Sequence, residues 1–254
     1  MELTERKLKI LQTIITDFIQ NAEPVGSRTL SKLLDMDISP ATIRNEMSDL
    51  EEMGYLYHPH TSSGRVPSDK AYRLYVNSLM DKYELAQNEK QRIKRELSTH
   101  MTELENTVLH ASELLSDITN LTSFATLEDM KEMSLFLRGM TRIFAHPEYN
   151  TIERARSFLE MVDDRETIAS ELADRTEGLT IRIGDENSKR IIPGTSIITA
   201  TYHADGRMVG KLGVIGPTRM RYSQITGVIE YISNNLDKAF KLPDRRGDYT
   251  DDEN

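Results

Sequence analysis

Cysteine is absent from this chain, which excludes disulfide scaffolds, thiol nucleophiles and cysteine-ligated zinc and fits a cytoplasmic protein. No run approaches the roughly 18 apolar residues that a membrane span requires. Residues 1–5 lack the charged-then-apolar beginning of a secretory signal, so neither export nor a membrane partner is expected. Positive charge is in deficit, because 32 Lys and Arg against 41 Asp and Glu give a formal charge of −9. An acidic chain binds polyanions poorly, so any nucleic-acid role must depend on a local surface.

Glycine and proline are unevenly distributed over the 254 residues, and none occurs between Ser68 and Arg138. Because these residues punctuate secondary structure, they divide the chain into regions. We predict an α+β fold with a head at 1–77, a helical connector and dimerisation segment at 78–127, an α+β domain at 128–242 and a disordered acidic tail at 243–254. Within the α+β domain, β-branched runs predict strands at 179–183, 196–202 and 208–215, and a helix should span 222–242.

The head has the pattern of three short helices followed by a hairpin. Thr4, Ser27 and Ser39 are candidate N-caps, and Pro40 occupies the first helical position that proline favours. Apolar residues of the third helix recur at spacings of four and three, which places them on one buried face. Gly54 would end this helix, and two short strands joined by a loop would follow. Three helices and a hairpin are the outline of a winged helix-turn-helix.

The third helix offers side chains that are suited to reading DNA. In a helix-turn-helix the N-terminal part of this helix enters the major groove, and here Arg44 and Asn45 lie away from the apolar face. Arginine can donate a bidentate pair to guanine, and asparagine can pair in the same way with adenine. Polar residues at the start of the second helix and along the wing could hold phosphate. The predicted DNA-binding residues are Ser27, Arg28, Thr29, Ser39, Ala41, Thr42, Arg44, Asn45, Ser48, His60, Ser62, Ser63 and Arg65.

The net charge of the head does not favour DNA binding. Residues 1–77 carry nine Lys or Arg against eleven Asp or Glu, a net of −2. Three of the acids, Asp49, Glu51 and Glu52, lie toward the C-terminal end of the third helix, where they could stay clear of phosphates. A three-helix head with a hairpin can also be a protein-interaction domain, and the pattern alone leaves both interpretations open.

The middle of the chain carries an apolar stripe that starts after the cap candidate Ser68. From Leu79 to Ile118 the spacing alternates between three and four, apart from Lys90 and one additional four-residue step that resembles a coiled-coil stutter. One continuous helix of about 40 residues would be about 60 Å long. Two shorter helices folded back on each other fit the pattern equally well. In either arrangement the stripe is a candidate for self-association.

A set of segments at both ends of the chain carries a resemblance to a known family. They are 23–30, 39–47, 54–56, 59–67, 72–73, 183–187 and 196–222. These segments closely resemble the HrcA family of bacterial heat-inducible transcription repressors. The resemblance implies a winged-helix head, a GAF-like C-terminal domain, and a homodimer that binds double-stranded DNA at the CIRCE inverted repeat upstream of chaperone genes. It also implies that a GroEL-type chaperonin keeps the repressor active and that activity is lost on heat stress.

Two features depart from the pattern of that family. Ala71 stands where the family usually has Gly, a change that is harmless or mildly stabilising on a helix. The chain is also several dozen residues shorter than the family norm, and the shortfall is expected near 126–133, where relatives carry strands of the GAF-like domain and an inserted dimerisation segment. We therefore expect a truncated domain with only three or four strands, and an amphipathic helix over 130–144.

No group of residues predicts catalysis, so neither an enzyme activity nor a cofactor is expected. His58 and His60 stand close together, but in a loop where no carboxylate is expected nearby. They are therefore interpreted as wing residues and not as a metal site.

The glycines near residue 210 superficially suggest a phosphate loop. Their spacing does not fit one, and Leu212 stands where Ser or Thr is required. Gly206 is instead predicted to form a hairpin turn with Asp205, and Gly210 and Gly213 to be close-packed strand positions.

Three polar residues lie in or beside the family-like segments of the α+β domain: Arg182, Asn187 and Arg219. They are interpreted as a solvated strand face and loop caps, and the alternative is a ligand pocket. The main rival function is accordingly a winged-helix regulator gated by a small ligand, with the C-terminal domain as its sensor.

Overall fold

The computed structural model describes residues 3–34, 38–60, 64–99, 104–128, 133–172, 176–188 and 191–240. The head consists of α1 (Glu5–Asn21), α2 (Ser27–Leu33), α3 (Pro40–Glu52) and the antiparallel strands β1 (Leu56–Tyr57) and β2 (Val66–Pro67). Helix α4 (Asp69–Leu74) completes the head, and it is followed by a π-helical turn (Tyr75–Leu79), α5 (Gln87–Thr99) and α6 (Leu104–Thr119).

The rest of the chain forms a sheet with helices on both faces. Its strands are β3 (Thr122–Glu128), β4 (Met133–Arg138), β5 (Leu179–Ile183), β6 (Thr195–Ala204) and β7 (Arg207–Pro217). Its helices are α7 (Ile152–Asp163), α8 (Arg165–Leu172) and α9 (Tyr222–Ala239), with 3-10 turns at Met140–Ala145, Pro147–Tyr149 and Gly184–Glu186. We call this part, together with α6, the body.

The predicted caps explain where most of the head helices begin. The hydroxyl of Thr4 accepts a hydrogen bond from the backbone N–H of Lys7 at 3.3 Å, and Ser39 accepts one from Thr42 at 3.1 Å. Ser68 caps α4 in the same way. The prediction for Ser27 is wrong, since Gly26 occupies the cap position of α2 and Ser27 is the first helical residue. The three-helix head with its hairpin is confirmed.

Two apolar clusters cover the two faces of the sheet. The first cluster continues from the head through α5, α6 and α9 and includes Leu11, Ile43, Val108 and Ile229. The second cluster lies under α7 and α8 and includes Phe158. Because the first cluster runs without a break from head to body, the head packs directly against the sheet domain. The boundaries at 77/78 and 127/128 stay predictions, although β3 extends across the second boundary and packs on α6.

The sheet has five strands in the order β4-β3-β7-β6-β5, and all neighbouring pairs are antiparallel. The expectation of three or four strands is therefore wrong. The three strands predicted from β-branched runs are confirmed, and the last predicted helix is confirmed as α9.

The helix expected over 130–144 is also wrong. The described residues of that range form β4 and the 3-10 turn Met140–Ala145, while 130–132 lie outside the described residues. Leu135 and Leu137 pack with the second cluster and Phe136 packs with the first. Successive side chains therefore point to opposite faces, as in a strand with both faces covered.

The prediction of one continuous helix through the middle of the chain is wrong, because the chain is not helical between Leu79 and Gln87. The alternative of two shorter helices that contact each other is the one observed, and α5 and α6 both pack on α9 as well. Ile93, Leu97 and Val108 of the apolar stripe are buried in the first cluster. Leu104 of the same stripe is 40% exposed, and the role of the stripe in self-association stays a prediction.

The hairpin interpretation of the glycine-rich segment is confirmed. Asp205 and Gly206 both have left-handed φ angles, 51° and 75°, and connect β6 to β7. A Cβ at Gly210 would lie 1.9 Å from the backbone oxygen of Thr126, so the neighbouring strand requires glycine there. None of the helices within the described ranges is both long and apolar enough to span a bilayer.

Candidate nucleic-acid interface

Helix α3 presents a polar face outward from the head. Ile43, Met47 and Leu50 are at most 1% exposed and face the core, as predicted. Arg44 and Asn45 are exposed on the opposite side. Of the other predicted residues of this helix and its cap, Ser39, Ala41 and Ser48 are exposed and Thr42 is half-buried. The structure thus brings the predicted base-reading side chains together on one solvent-facing surface.

Helix α2 packs against α3 and lies beside this surface. Arg28 and Thr29 are exposed on it, and Ser27 is half-buried. Leu30 is fully buried between the helices and fixes α2 to the core. The phosphate-binding role of the residues at the start of α2 stays a prediction.

The wing is held to the start of α2 by the backbone. Val25 and Arg65 exchange two hydrogen bonds of 2.9 and 3.0 Å as an isolated antiparallel bridge. His60 is exposed near the tip, whereas Ser62 and Ser63 lie outside the described residues. The Arg65 side chain is 13% exposed and forms an ion pair with Glu51 at 3.0 Å. Its structural partner is therefore inside the head, and its contact with DNA stays a prediction.

Three of the four acidic residues of α3 are paired within the head, which the sequence reasoning missed. The Glu46 carboxylate lies 2.5 Å from Arg6 Nη2 and 2.7 Å from Lys7 Nζ, and the Lys7 Nζ also lies 2.9 Å from Asp49. Two of these charged residues, Lys7 and Glu46, lie on the otherwise apolar faces of α1 and α3. Lys7 precedes Ile10 and Leu11 by three and four positions, and Glu46 follows Ile43 by three. Opposite charges at core-facing positions of two helices are the signal that could have predicted the pair.

This pairing sets the charge state of Glu46. Burial alone would raise the pKa of its carboxyl, but hydrogen bonds from Lys7 and Arg6 outweigh burial and lower the pKa. The carboxylate therefore stays ionised and neutralised inside the head, and α1 is tied to the helix that carries Arg44 and Asn45.

A second acid near the wing behaves similarly. His58 Nδ1 lies 2.6 Å from Glu51 Oε1, and Arg65 binds the other oxygen. Burial would raise the pKa of Glu51, but the hydrogen bond from His58 and the charge of Arg65 lower it. The prediction that no carboxylate lies near His58 is wrong. Within the described part of the chain, His, Asp and Glu nowhere form a group of three that could hold a metal ion.

In the body, two of the three polar residues are engaged locally. Arg182 Nη1 donates to the backbone oxygen of Glu171 at 2.7 Å, and Asn187 Nδ2 donates to the backbone oxygens of Gly184 and Thr195 at 3.0 and 2.8 Å. The loop-cap interpretation of Asn187 is confirmed. The cavity beside Arg182 has a volume of about 10 Å³, enough for at most one water molecule.

Arg219 reaches from the body into the head. Its guanidinium donates to the backbone oxygen of Ile19 in α1 at 2.7 Å and to Glu148 at 2.6 Å. A cavity of about 310 Å³ lies beside it, between the end of α1 and the beginning of α9, and Gln20, His146 and Arg221 are among its lining residues. This contact between head and body was not predicted.

Two family models match the chain and together extend over most of its length. The winged helix-turn-helix transcription repressor, HrcA DNA-binding model matches residues 2–81, and the HrcA protein C terminal domain model matches residues 70–226. The chain belongs to the HrcA family. Its head is accordingly the winged-helix DNA-binding domain of a transcription repressor, and α3 lies at the position of the recognition helix of a helix-turn-helix.

Individual relatives agree with this assignment. The heat-inducible transcription repressor HrcA of Clostridioides difficile (strain 630) is 35% identical over 92% of this chain and 98% of its own length. The protein of the same name from Clostridium tetani (strain Massachusetts / E88) is 34% identical over 95% of this chain and 97% of its own. A crystal structure described only as that of a hypothetical protein has the same fold, with a TM-score of 0.77, 20% identity and coverage of 94% of this chain and 99% of the other.

The shortfall in length relative to the HrcA family is confirmed. The alignment with the C. difficile protein extends over 333 positions, whereas this chain has 254 residues, so at least 79 positions (333 less 254) have no counterpart here. Its location near 126–133 stays a prediction. The sheet nevertheless has five strands, with β3 and β4 on either side of the predicted point.

Proposed function

We propose that this protein represses chaperone genes by binding, as a homodimer, to an inverted-repeat operator of the CIRCE type. The observation that carries the proposal is the surface of α3, where Arg44 and Asn45 are exposed while Glu46, Asp49 and Glu51 are bound to cations of the head. A two-fold dimer would present two such surfaces to two half-sites, which is what an inverted repeat matches. The protein acts in the cytoplasm as a DNA-binding regulator and not as an enzyme.

The same proposal includes a chaperonin of the GroEL type as a partner that keeps the repressor active. Unfolded clients would sequester the chaperonin on heat stress and so relieve repression. Membership of the HrcA family and the low apolar content, 38% of residues, support this proposal. A chain with a modest core has little stability in reserve and is a suitable heat-sensitive switch.

A gel-shift titration tests both parts. We expect an inverted-repeat duplex to be bound far more tightly than a duplex with scrambled half-sites at the same salt concentration, and the bound fraction to rise when chaperonin is added. Equal affinity for both duplexes would refute operator reading and would favour a protein-interaction head. Operator binding that is unchanged by chaperonin, together with a melting temperature far above the growth temperature, would refute the thermal mechanism.

A ligand-gated regulator is the second candidate, and the cavity of about 310 Å³ between head and body favours it. Its volume is within the range of small-molecule sites, whereas the cavity on the sheet face is too small for an effector. This function predicts operator binding that responds to small-molecule extracts in the absence of chaperonin. Because the two candidates differ in the added component, the same titration separates them.

A further inference from the structure

Three family-like segments lie outside the DNA-reading surface, and the structure brings them together. They are the Tyr72-Arg73 pair after the wing, the loop at 183–187 and the segment at 217–222 before and into α9. Tyr72 and Tyr222 are almost fully buried and their rings pack with centroids 5.9 Å apart. The three segments therefore form the junction between head and body.

The first polar contact across this junction is a bidentate pair between Arg73 and Glu186, which we call the fork. Arg73 Nε donates to Glu186 Oε1 at 2.7 Å, and its Nη2 donates to the other carboxylate oxygen and to the backbone oxygen of Ile181 at 2.6 Å. A bidentate arginine–carboxylate pair fixes orientation as well as distance. The Glu186 carboxylate is itself held by the backbone N–H of Ile183 at 2.9 Å. The fork thus connects α4 of the head to the end of β5.

The loop at 183–187 also lies directly against the Asp69 side chain, beside the Arg73–Glu186 pair. Asp69 at the beginning of α4 accepts a hydrogen bond from the backbone N–H of Asp185 at 3.2 Å. Gly184 has a left-handed φ of 50°, and a Cβ there would lie 1.6 Å from the Asp69 carboxylate. A Cβ here would displace this carboxylate, and the left-handed φ itself favours glycine.

The second polar contact holds the recognition helix indirectly. Arg219, positioned by Glu148, donates to the backbone oxygen of Ile19 in the last turn of α1, where helix carbonyls lack partners and cations are favoured. The first turn of the same helix binds Glu46 of α3 through Arg6 and Lys7. Helix α1 is therefore fixed to the body at one end and to the recognition helix at the other.

We propose that Arg73, Glu186 and Arg219 are positioning residues for operator binding. They set the orientation of α3 relative to the body, and in a dimer that associates through its bodies they fix the separation and rotation of the two reading surfaces. The proteins of the family would then select the spacing between half-sites through this junction, without base contacts. This inference rests on the proposed function, because spacing selection requires two heads on one inverted repeat. When the junction holds both heads in the orientation that the operator requires, binding of the first half-site brings the second head onto the second half-site. The second binding step is then effectively intramolecular, and this raises the affinity for operators of the matching spacing.

The test measures affinity for operators whose half-sites are moved apart. Adding two base pairs rotates one half-site by about 70° and shifts it by about 7 Å, since one turn contains 10–10.5 base pairs. We expect the unaltered protein to lose about tenfold or more in affinity, because rigidly held heads cannot follow this shift. The Arg73→Gln, Arg219→Gln double variant should bind both spacings within about threefold of each other and bind an isolated half-site as well as the unaltered protein does. Arg156→Gln, which removes an exposed pair with Glu160 inside α7, is the matched control and should keep the spacing preference.

Each outcome decides a separate point. If the unaltered protein does not distinguish an inverted repeat from scrambled DNA, the proposed function fails. If it does, but the double variant keeps the same spacing preference, the positioning role is refuted. Loss of isolated half-site binding by the double variant would also refute it, because the residues would then act through folding of the head.

Discussion

Replacing Arg44 or Asn45 by alanine should weaken operator binding without weakening the fold. Both side chains are exposed on α3 and belong to the face opposite its buried residues. A bidentate side chain–base pair contributes about 1–3 kcal/mol of discrimination, which is about 5- to 150-fold in Kd for each half-site. If both heads of a dimer carry the change, the loss on the full operator is about twice that free energy. The free energy of unfolding should change by no more than about 0.5 kcal/mol, since alanine favours helix and no buried contact is removed.

The assay is fluorescence anisotropy with an operator duplex and a scrambled duplex at one salt concentration, combined with urea unfolding. Arg92→Ala and Asn234→Ala are matched controls, because they remove the same side chains from exposed positions of α5 and α9. They should leave the ratio of operator to scrambled affinity unchanged. An equal loss on both duplexes would make Arg44 and Asn45 phosphate contacts, and a large loss of stability would refute the assignment of their side chains to solvent.

Two further predictions concern stability. The folded-state pKa of Glu46 lies below its ordinary value of 4.5, so its ion pairs stabilise the fold above that pH, and this stabilisation is lost as the pH falls through the folded pKa. In urea unfolding, the free energy of unfolding should therefore fall more steeply between about pH 5 and 3 for the unaltered protein than for Glu46→Gln. Parallel curves for the two proteins would contradict the pairing. Gly210→Ala should destabilise the sheet by at least about 1–3 kcal/mol because its Cβ would overlap the backbone of Thr126, whereas Gly26→Ala, where the Cβ meets nothing within 4 Å, should cost much less in the same measurement.

The head could be predicted from sequence because its signals are local. A cap residue and the apolar spacing that follows it lie within one or two helical turns, so Thr4, Ser39 and the buried face of α3 followed directly. The failure at Ser27 is a shift of one residue, since glycine also occupies cap positions. The face that carries Arg44 and Asn45 could be placed for the same reason.

The error at β4 has a physical cause as well. Leu135, Phe136 and Leu137 form a continuous apolar run because both faces of the strand are covered there, and so short a run cannot be told from a buried helix by spacing. The interruption between Leu79 and α5 was equally hidden, because no glycine or proline marks it. Contacts such as that of Arg219 with Ile19 join residues 200 positions apart. No pattern within a window of one element contains them.

The acidity of the chain is compatible with DNA binding because the head's negative charges are not all available to repel phosphate. Glu46 and Asp49 are bound by Lys7, and Glu51 is bound by Arg65. Among the described residues, no acidic group of the head pairs with Arg44. This pairing leaves the formal count of −2 unchanged, because each acid takes up a cation, but an ion pair held inside the domain projects little field at its surface. The polarity that DNA meets is therefore decided by which charges are paired internally, and α1 supplies that pairing while its other end is held by the body.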